Sequence, residues 1–351
     1  MLMKHLILLS LIFAPLISFA TADTITSPVN NKSIIINDAS EFSFLVVGHA
    51  YGKPSSSIFP SPSLLANIDK INTSEASFLL LLGDNYRQLD SLNVSIFKST
   101  FIDKLEIPVF IAIGNHDLTP NHITNYYGQD YPTFRKEFGA DTYYSFVISS
   151  TLFIILDSEL SLTNGRSDGS IKGDQLDFLK KTLDKFLTPT TSIRNIFIGA
   201  HKKLDLWKNN FHSEVYPLFS KADSIDVAVY LLSGDLAAST PDFYIKTPKD
   251  SIATYIHTHL NDTKHDKMLQ FNVAPDGLVK ITPLSLTGLP IKSINSSTFD
   301  TAPESVPIGK KIKYYFSNRE FLIGVLFTVI AIMLILGFWK TKRFLTRNKR
   351  H

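Results

Sequence analysis

Five short apolar runs in this chain each end in a glycine followed, at once or one residue later, by a side chain able to bind a metal or move a proton. Phe42–Val47 leads into Gly48-His49-Ala50-Tyr51-Gly52, and Phe78–Leu82 leads into Gly83-Asp84-Asn85-Tyr86-Arg87. Residues 109–113 lead into Gly114-Asn115-His116-Asp117, 195–198 into Gly199-Ala200-His201, and 226–232 into Gly234-Asp235. Compact apolar runs of this length read as strands buried on both faces. Between them, 63–71 and 89–105 carry apolar residues at helical spacing. Residues 143–148 and 151–156, on either side of Ser149-Ser150, predict a hairpin, and 174–186 a helix. The pattern predicts a layered α/β domain. In an open sheet of that kind the loops at the carboxyl ends of the strands converge on one crevice. His49, Asp84, Asn115, His116, His201 and Asp235 are therefore expected together.

Those donors are oxygen and imidazole, which suit Mn, Zn or Fe rather than copper. Taken alone, a Gly-Asp after a strand reads better as a turn, and His201 as a hydrogen-bonded strand-end histidine; the succession of the loops is what carries the inference. Gly-Asn-His-Asp is the sharpest, since an Asn ligand followed directly by a His–Asp pair makes an acid/base device beside a metal. In that reading Asp117 orients and charge-stabilises His116.

With these residues in place, the chain resembles the calcineurin-like metallophosphoesterases, the superfamily that includes purple acid phosphatases and cyclic-nucleotide phosphodiesterases. The resemblance extends to the hairpin Tyr143-Tyr144-Ser145-Phe146 with Leu156-Asp157-Ser158-Glu159, and to Gly173-Asp174-Gln175-Leu176-Asp177-Phe178-Leu179. It covers roughly residues 41 to 285. It implies a layered β-sandwich flanked by helices and a centre of one or two metal ions. Asp84 is then the bridging carboxylate, Asn115 and His201 are ligands of the second metal, and His116 protonates the leaving group or stabilises the transition state. Arg87 stands at the D/R position of the second motif.

Two motifs depart from the pattern. His49-Ala50-Tyr51 stands where D-x-H is expected, and Gly234-Asp235-Leu236-Ala237 stands where G-H-x-H is expected. The second metal site keeps Asp84, Asn115 and His201, with Asp235 replacing its histidine. The first keeps Asp84, with His49 and a Tyr51 phenolate as further candidates, while Ala237 has nothing to offer. A rearranged centre with one tight and one weak or absent metal, and a decayed site, fit equally well. His257-Thr258-His259 reads either as two imidazoles on one strand face reaching the first site, or as a polar strand end at the rim with His265 as a solvated neighbour.

The ends of the chain bound the setting. Lys4, the apolar run 6–19 and Ala20-Thr21-Ala22 have the three parts of a secretory signal peptide over residues 1–22. Residues 321–339 form an uncharged apolar run long enough for a transmembrane helix, since a bilayer core of about 30 Å takes about 20 residues. Six basic residues follow it in 340–351, so the positive-inside rule places this tail in the cytoplasm. The expected order is signal peptide 1–22, lead-in 23–40, phosphoesterase-like domain 41–288, stalk 289–320, transmembrane helix 321–339 and basic tail 340–351, a single-pass protein with its domain outside. Seven of the 35 basic residues lie in 1–22 and 321–351, leaving 28 against 32 acidic residues, so no nucleic-acid partner is expected. The absence of cysteine excludes a disulfide scaffold, a thiolate zinc finger, an iron–sulfur cluster and a cysteine nucleophile.

Two functions follow as expectations. One is a membrane-anchored phosphoesterase hydrolysing a phosphate mono- or diester by metal-activated water, with His116 as acid. The other is a catalytically inactive binding or adhesion module on the same scaffold, whose working surface lies in the loops 51–62 and 118–132; no protein partner is named by the sequence.

Overall fold

Alternate residues of each apolar run point to different layers, which is why the runs carry no polar face. In Phe42–Val47, Phe44 and Val46 face inward between two sheets while Leu45 and Val47 face a layer of helices. In Phe78–Leu82, Phe78, Leu80 and Leu82 repeat the first direction, and Leu79 and Leu81 the second. The opposite sheet does the same, with Phe153 and Phe197 turned inward and Leu152, Ile154, Ile196 and Ile198 turned outward.

The computed structural model describes residues 24–35, 40–52, 58–119, 129–163, 166–205, 209–236, 243–249, 251–261 and 265–287. Strands β1 (Thr24–Thr26) and β2 (Ser33–Ile35) form an antiparallel ribbon within the expected lead-in. β3 (Phe42–Val47), β4 (Phe78–Leu82) and β5 (Val109–Ala112) run parallel. β6 (Tyr144–Ile148) and β7 (Thr151–Ile155) form the expected hairpin, with Ser149 at φ 51° in its turn. β8 (Leu162–Thr163) and β9 (Arg166–Ser167) make a short ribbon. β10 (Asn195–Ala200), β11 (Ala228–Ser233), β12 (Phe243–Lys246), β13 (Ala253–Thr258), β14 (Lys267–Val273) and β15 (Val279–Ser285) complete the set.

One sheet has the order β15-β14-β3-β4-β5 and the other β12-β13-β11-β10-β7-β6. Each has a parallel centre and antiparallel strands beyond it, so the carboxyl ends of β3, β4, β5, β10 and β11 carry the motif loops. A phenylalanine cluster joins the sheets. Phe44 stacks between Phe78 and Phe271 at 5.0 and 4.7 Å and meets Phe153 and Phe197 edge-on at 5.1 and 5.0 Å. Such rings bring large buried areas and a preferred geometry, and the cluster fixes how one set of loops faces the other.

The helices differ from expectation in detail. The stretch 63–71 divides into α1 (Pro62–Leu65) and α2 (Ile68–Asn72) around Asn67. The helix expected over 89–105 is α3 (Ser91–Thr100), capped by Asp90, whose carboxylate accepts from the Asn93 N–H; it breaks at Phe101 before a short tight turn, Ile102–Lys104. α4 (Asn115–Leu118) begins inside the third motif. Part of the loop expected over 118–132 belongs to α5 (Tyr131–Phe138), announced by Asp130 as its cap, Pro132 in its first turn and Gly139 at φ 61° after its end. α6 (Gly173–Phe186) packs Leu176, Leu179 and Leu183 on the second sheet.

Among the described residues no helix is long and apolar enough to cross a membrane. The signal peptide 1–22, stalk 289–320, transmembrane helix 321–339 and tail 340–351 lie outside the described residues, as do Ala237, Tyr126 and Tyr127.

Candidate metal and catalytic site

The motif glycines are needed because the strand ends approach backbone to backbone. A Cβ on Gly48 would lie 2.3 Å from Gly234 Cα, one on Gly114 2.2 Å from Asp84 Oδ1, and one on Gly83, itself at φ 79°, 2.6 Å from His201 Cβ. Absence of side chains there lets the next residue reach the centre.

Asp84 occupies that centre. Its Oδ2 lies 3.4 Å from His49 Nε2, its Oδ1 lies 3.4 Å from His201 Nε2, and Oδ1 also accepts the His116 N–H at 3.1 Å. His201 Nε2 is also 3.6 Å from Asp235 Oδ1. Both His49 (φ 54°) and Asp84 (φ 53°) hold left-handed backbone, a conformation that costs a non-glycine residue of order 1 kcal/mol and clusters at functional sites. His201 is fixed from behind, its Nδ1–H donating to the Leu82 carbonyl at 2.9 Å.

Burial drives the electrostatics. It would push Asp84 up, but the imidazoles of His201, His116 and His49 hold it below the ordinary carboxylate range. Burial would lower His201, yet Asp84, Asp235 and Glu159 raise it to about 10. His49 is lowered to about 3, chiefly by burial and partly by neighbouring imidazoles, against the pull of Asp84. Asp235 is raised by burial, with His201 opposing.

The third loop departs from expectation. Asp117 does not touch the His116 ring. Its Oδ1 accepts the Asn85 N–H at 2.8 Å, and its Oδ2 accepts the Asn85 side-chain amide and the Gly114 N–H, each at 2.9 Å. It is a buried staple between the second and third motif loops, and burial pushes it up to about 7, with the Asp84 charge adding to the effect. His116 Nδ1 instead donates to the Arg87 carbonyl at 2.7 Å, so Arg87 contributes backbone here. The Tyr51 hydroxyl, the candidate phenolate, lies 3.2 Å from His116 Nε2. Asn115, half-buried, opens α4 beside them.

Two clusters went unrecognised or were misplaced in the sequence. Glu159 is fully buried and pairs with the Nζ of Lys202, the residue immediately after His201, at 2.9 Å; an acid four residues beyond β7 is the only linear signal for it. His257 and His259, one reading of which put them at a solvated rim, are fully buried and joined, Nε2 to Nδ1, at 2.8 Å; His265 is exposed.

Among the described residues no three His, Cys, Asp or Glu side chains already close into a metal cluster; the donors approach in pairs. The pair spacings nevertheless suit a shared cation. Two donors bonded at about 2.1 Å to one tetrahedral ion stand about 3.4 Å apart, whereas N–H···O hydrogen bonds close to about 2.9 Å. His201 Nε2 and His49 Nδ1 are buried and take part in no hydrogen bond. By chemistry alone, the oxygen and imidazole donors of His201, Asp84 and Asp235 are of the kind a borderline cation takes. The other half offers His49 and Asp84, with the Tyr51 hydroxyl hydrogen-bonded to His116.

Two facing mixed sheets with flanking helices, their motif loops gathered at strand ends, match the layered β-sandwich flanked by helices that the resemblance implied. No family model and no curated protein matches the chain. Similar solved structures include a purple acid phosphatase isolated from yellow lupin (Lupinus luteus) seeds, 11% identical, covering 75% of this chain and 55% of that one, at a TM-score of 0.49. The 5'-nucleotidase from Candida albicans is similar at 14% identity, covering 76% of this chain and 54% of that one, at a TM-score of 0.41. The chain thus spans about half the length of these two proteins. Likenesses of this order carry no argument about this chain's chemistry.

Proposed function

We propose that this chain is a metal-dependent phosphoesterase acting on a phosphate mono- or diester. The observation that carries the reading is His201 Nε2, a buried nitrogen outside any hydrogen bond, facing Asp84 at 3.4 Å and Asp235 at 3.6 Å. Asp84, Asn115, His201 and Asp235 would hold one Mn, Zn or Fe ion, with His49 and Asp84 on the other side. When bound there, such an ion neutralises developing phosphoryl charge and lowers the pKa of water towards 7. His116 moves the proton. With Nδ1 pinned on the Arg87 carbonyl, Nε2 is the atom that serves the leaving oxygen, and the Tyr51 hydroxyl holds that nitrogen in place before substrate arrives.

The signal-like segment 1–22 and the apolar run 321–339 with its basic flank support an exported domain anchored by one membrane span; protease added to intact cells should then degrade the domain and spare the tail. The chemical test is hydrolysis of an aryl phosphate monoester and diester by the full-length protein in detergent, with Mn, Zn or Fe supplied in turn. Turnover that appears with one metal and is removed by a chelator is the expected result. Absence of both turnover and bound metal would overturn it in favour of the inactive tethered module.

Tyr51→Phe separates the two roles open to that residue. Losing one hydroxyl hydrogen bond to His116 costs about 1 kcal/mol, so turnover should fall about fivefold with bound metal unchanged. Loss of metal from this variant would show the phenol to be a ligand instead.

A further inference from the structure

We propose that two copies of this chain pair edge to edge along β6, antiparallel about a two-fold axis at Ser145, so that their six-stranded sheets join into one. The pairing uses no residue of the metal centre and stands apart from the phosphoesterase reading. An unpaired sheet edge offers a row of backbone donors and acceptors to any other strand, and folded chains blunt it with a lysine, a proline or a covering segment. Among the described residues the two large sheets have four edges, and three are blunted in this way. β15 carries Lys280 and Pro283. β12 carries Lys246, and Lys203 and Lys267 lie over its Tyr244 and Phe243 rings at 5.2 and 5.4 Å. β5 is covered: the Tyr144 hydroxyl donates to the Ile111 carbonyl at 2.9 Å and accepts the Ile111 N–H at 3.1 Å, while Asn30 Oδ1 accepts the Val109 N–H at 3.3 Å. β6 reads Tyr-Ser-Phe-Val-Ile, half-buried at all but Ile148, with no charge and no proline.

Register fixes which backbone groups of β6 point outward. Ile148 stands opposite Thr151 across the two-residue turn Ser149-Ser150, the pair that such a turn closes by hydrogen bonding. Hydrogen-bonded and non-hydrogen-bonded pairs then alternate along the hairpin. Ile148, Phe146 and Tyr144 bond to β7, and Ser145 and Val147 turn N–H and C=O away from it. Among the described residues no hydrogen bond reaches those outward groups, since β6 ends its sheet.

The surface beside this edge is complementary to itself. Between β6 and α6 lies a groove of about 500 Å³ whose lining includes Tyr143, Ser145, Phe178 and Phe186. α6 runs in the same direction as β6. The Tyr143 ring is 5.2 Å from Phe178 towards one end, and beyond the other end the Arg194 N–H donates to the Ser150 carbonyl in the hairpin turn at 2.8 Å. Asp174 therefore stands at the Tyr143 end of the groove, and Lys181 and Lys185 towards the Val147 end. Among the described residues the ion pair that α6 makes is Asp184 with Lys221, which leaves Asp174, Lys181 and Lys185 exposed and outside any ion pair. A two-fold axis at Ser145 sets that residue opposite the partner's Ser145 and Tyr143 opposite the partner's Val147. Asp174 of each copy then comes to the lysine end of the other groove, the self-complementary patch that an isologous interface requires. A parallel pairing would set like charges together.

The chain has no cysteine, so a single one reports on the axis. Directly opposed, hydrogen-bonded residues of an antiparallel pair have Cα atoms about 5.5 Å apart, within the roughly 4.4–6.8 Å that a disulfide spans. Full-length Ser145→Cys in detergent should therefore form a covalent dimer under mild oxidant, reversed by reductant. Ser95→Cys, exposed on α3, should stay monomeric under the same oxidant. Light scattering corrected for bound detergent should give the wild type twice the mass of one chain. Ser145→Lys, which sets like charges at the axis, should give the mass of one chain, with far-UV circular dichroism to verify folding. If that variant fails to fold, charge reversal decides: Lys181→Glu with Lys185→Glu should lower the mass, and adding Asp174→Lys should restore it. A wild type with the mass of one chain would overturn the proposal. So would a double mass without the Ser145→Cys cross-link, or one that neither Ser145→Lys nor the charge reversal moves, since the copies would then meet on another surface.

Discussion

Asp84→Asn is expected to strip bound metal and reduce hydrolysis by roughly a thousandfold, a loss typical of removing preorganised charge from a reacting centre. Among the described residues, Asp84 is the one carboxylate within 3.4 Å of both His49 and His201, so neither half of the centre is expected to survive its neutralisation. The metal-free protein gives a second readout. Asp84, with Asp235 and Glu159, raises His201 to about 10. A base whose folded pKa is raised contributes stability that is fully present below its ordinary value near 6.5 and lost as pH rises through about 10. His49, lowered to about 3 and buried neutral, works the other way: the unfolded chain takes up a proton below about 6.5, so its contribution is lost as pH falls towards 3. Chelated wild type should therefore melt lower as pH rises from neutrality towards 10. Asp84→Asn should flatten the alkaline limb, because His201 loses its nearest negative charge. Metal content and pH-dependent melting unchanged from wild type would remove Asp84 from the centre.

The fold was largely legible because two-faced burial leaves a crude mark. Runs such as Phe78–Leu82 carry no polar residue, and only a strand between two apolar layers tolerates that. β14 and β15 were not, since β15 is half-exposed and mixes Lys280, Thr282 and Pro283 with its apolar residues. In the site, the sequence brought His49, Asp84, Asn115, His116, His201 and Asp235 to neighbouring strand ends, because glycine followed by a donor marks a chain turning sharply out of a sheet. Side-chain direction was beyond its reach. Adjacency of His116 and Asp117 suggested a pair, yet consecutive residues on a helix point about 100° apart, and α4 turns one towards Tyr51 and the other into the scaffold. The buried pairs Glu159–Lys202 and His257–His259 lack any comparable punctuation.

Asp117 gives the second large effect, and it falls on stability. Its carboxylate accepts from Asn85 N, Asn85 Nδ2 and Gly114 N, all buried. Removal of the acceptor leaves those donors unsatisfied, at about 1–3 kcal/mol each; after partial relaxation, Asp117→Ala should cost about 3 kcal/mol and lower the melting temperature by about 10 °C. Asp117→Asn should lose nearly as much, because its amide turns an N–H₂ towards groups that are themselves donors. The loss would reach the centre indirectly. Gly114 backs onto Asp84 and Asn85 follows it, so loosening the staple lets the bridging carboxylate drift. A residue that oriented the catalytic imidazole would behave differently, with turnover falling sharply while the metal-free protein melted normally. Urea denaturation of the chelated Asp117→Asn protein distinguishes the two. A midpoint equal to wild type, together with a collapse in turnover, would restore the partnership with His116 that the geometry of α4 denies.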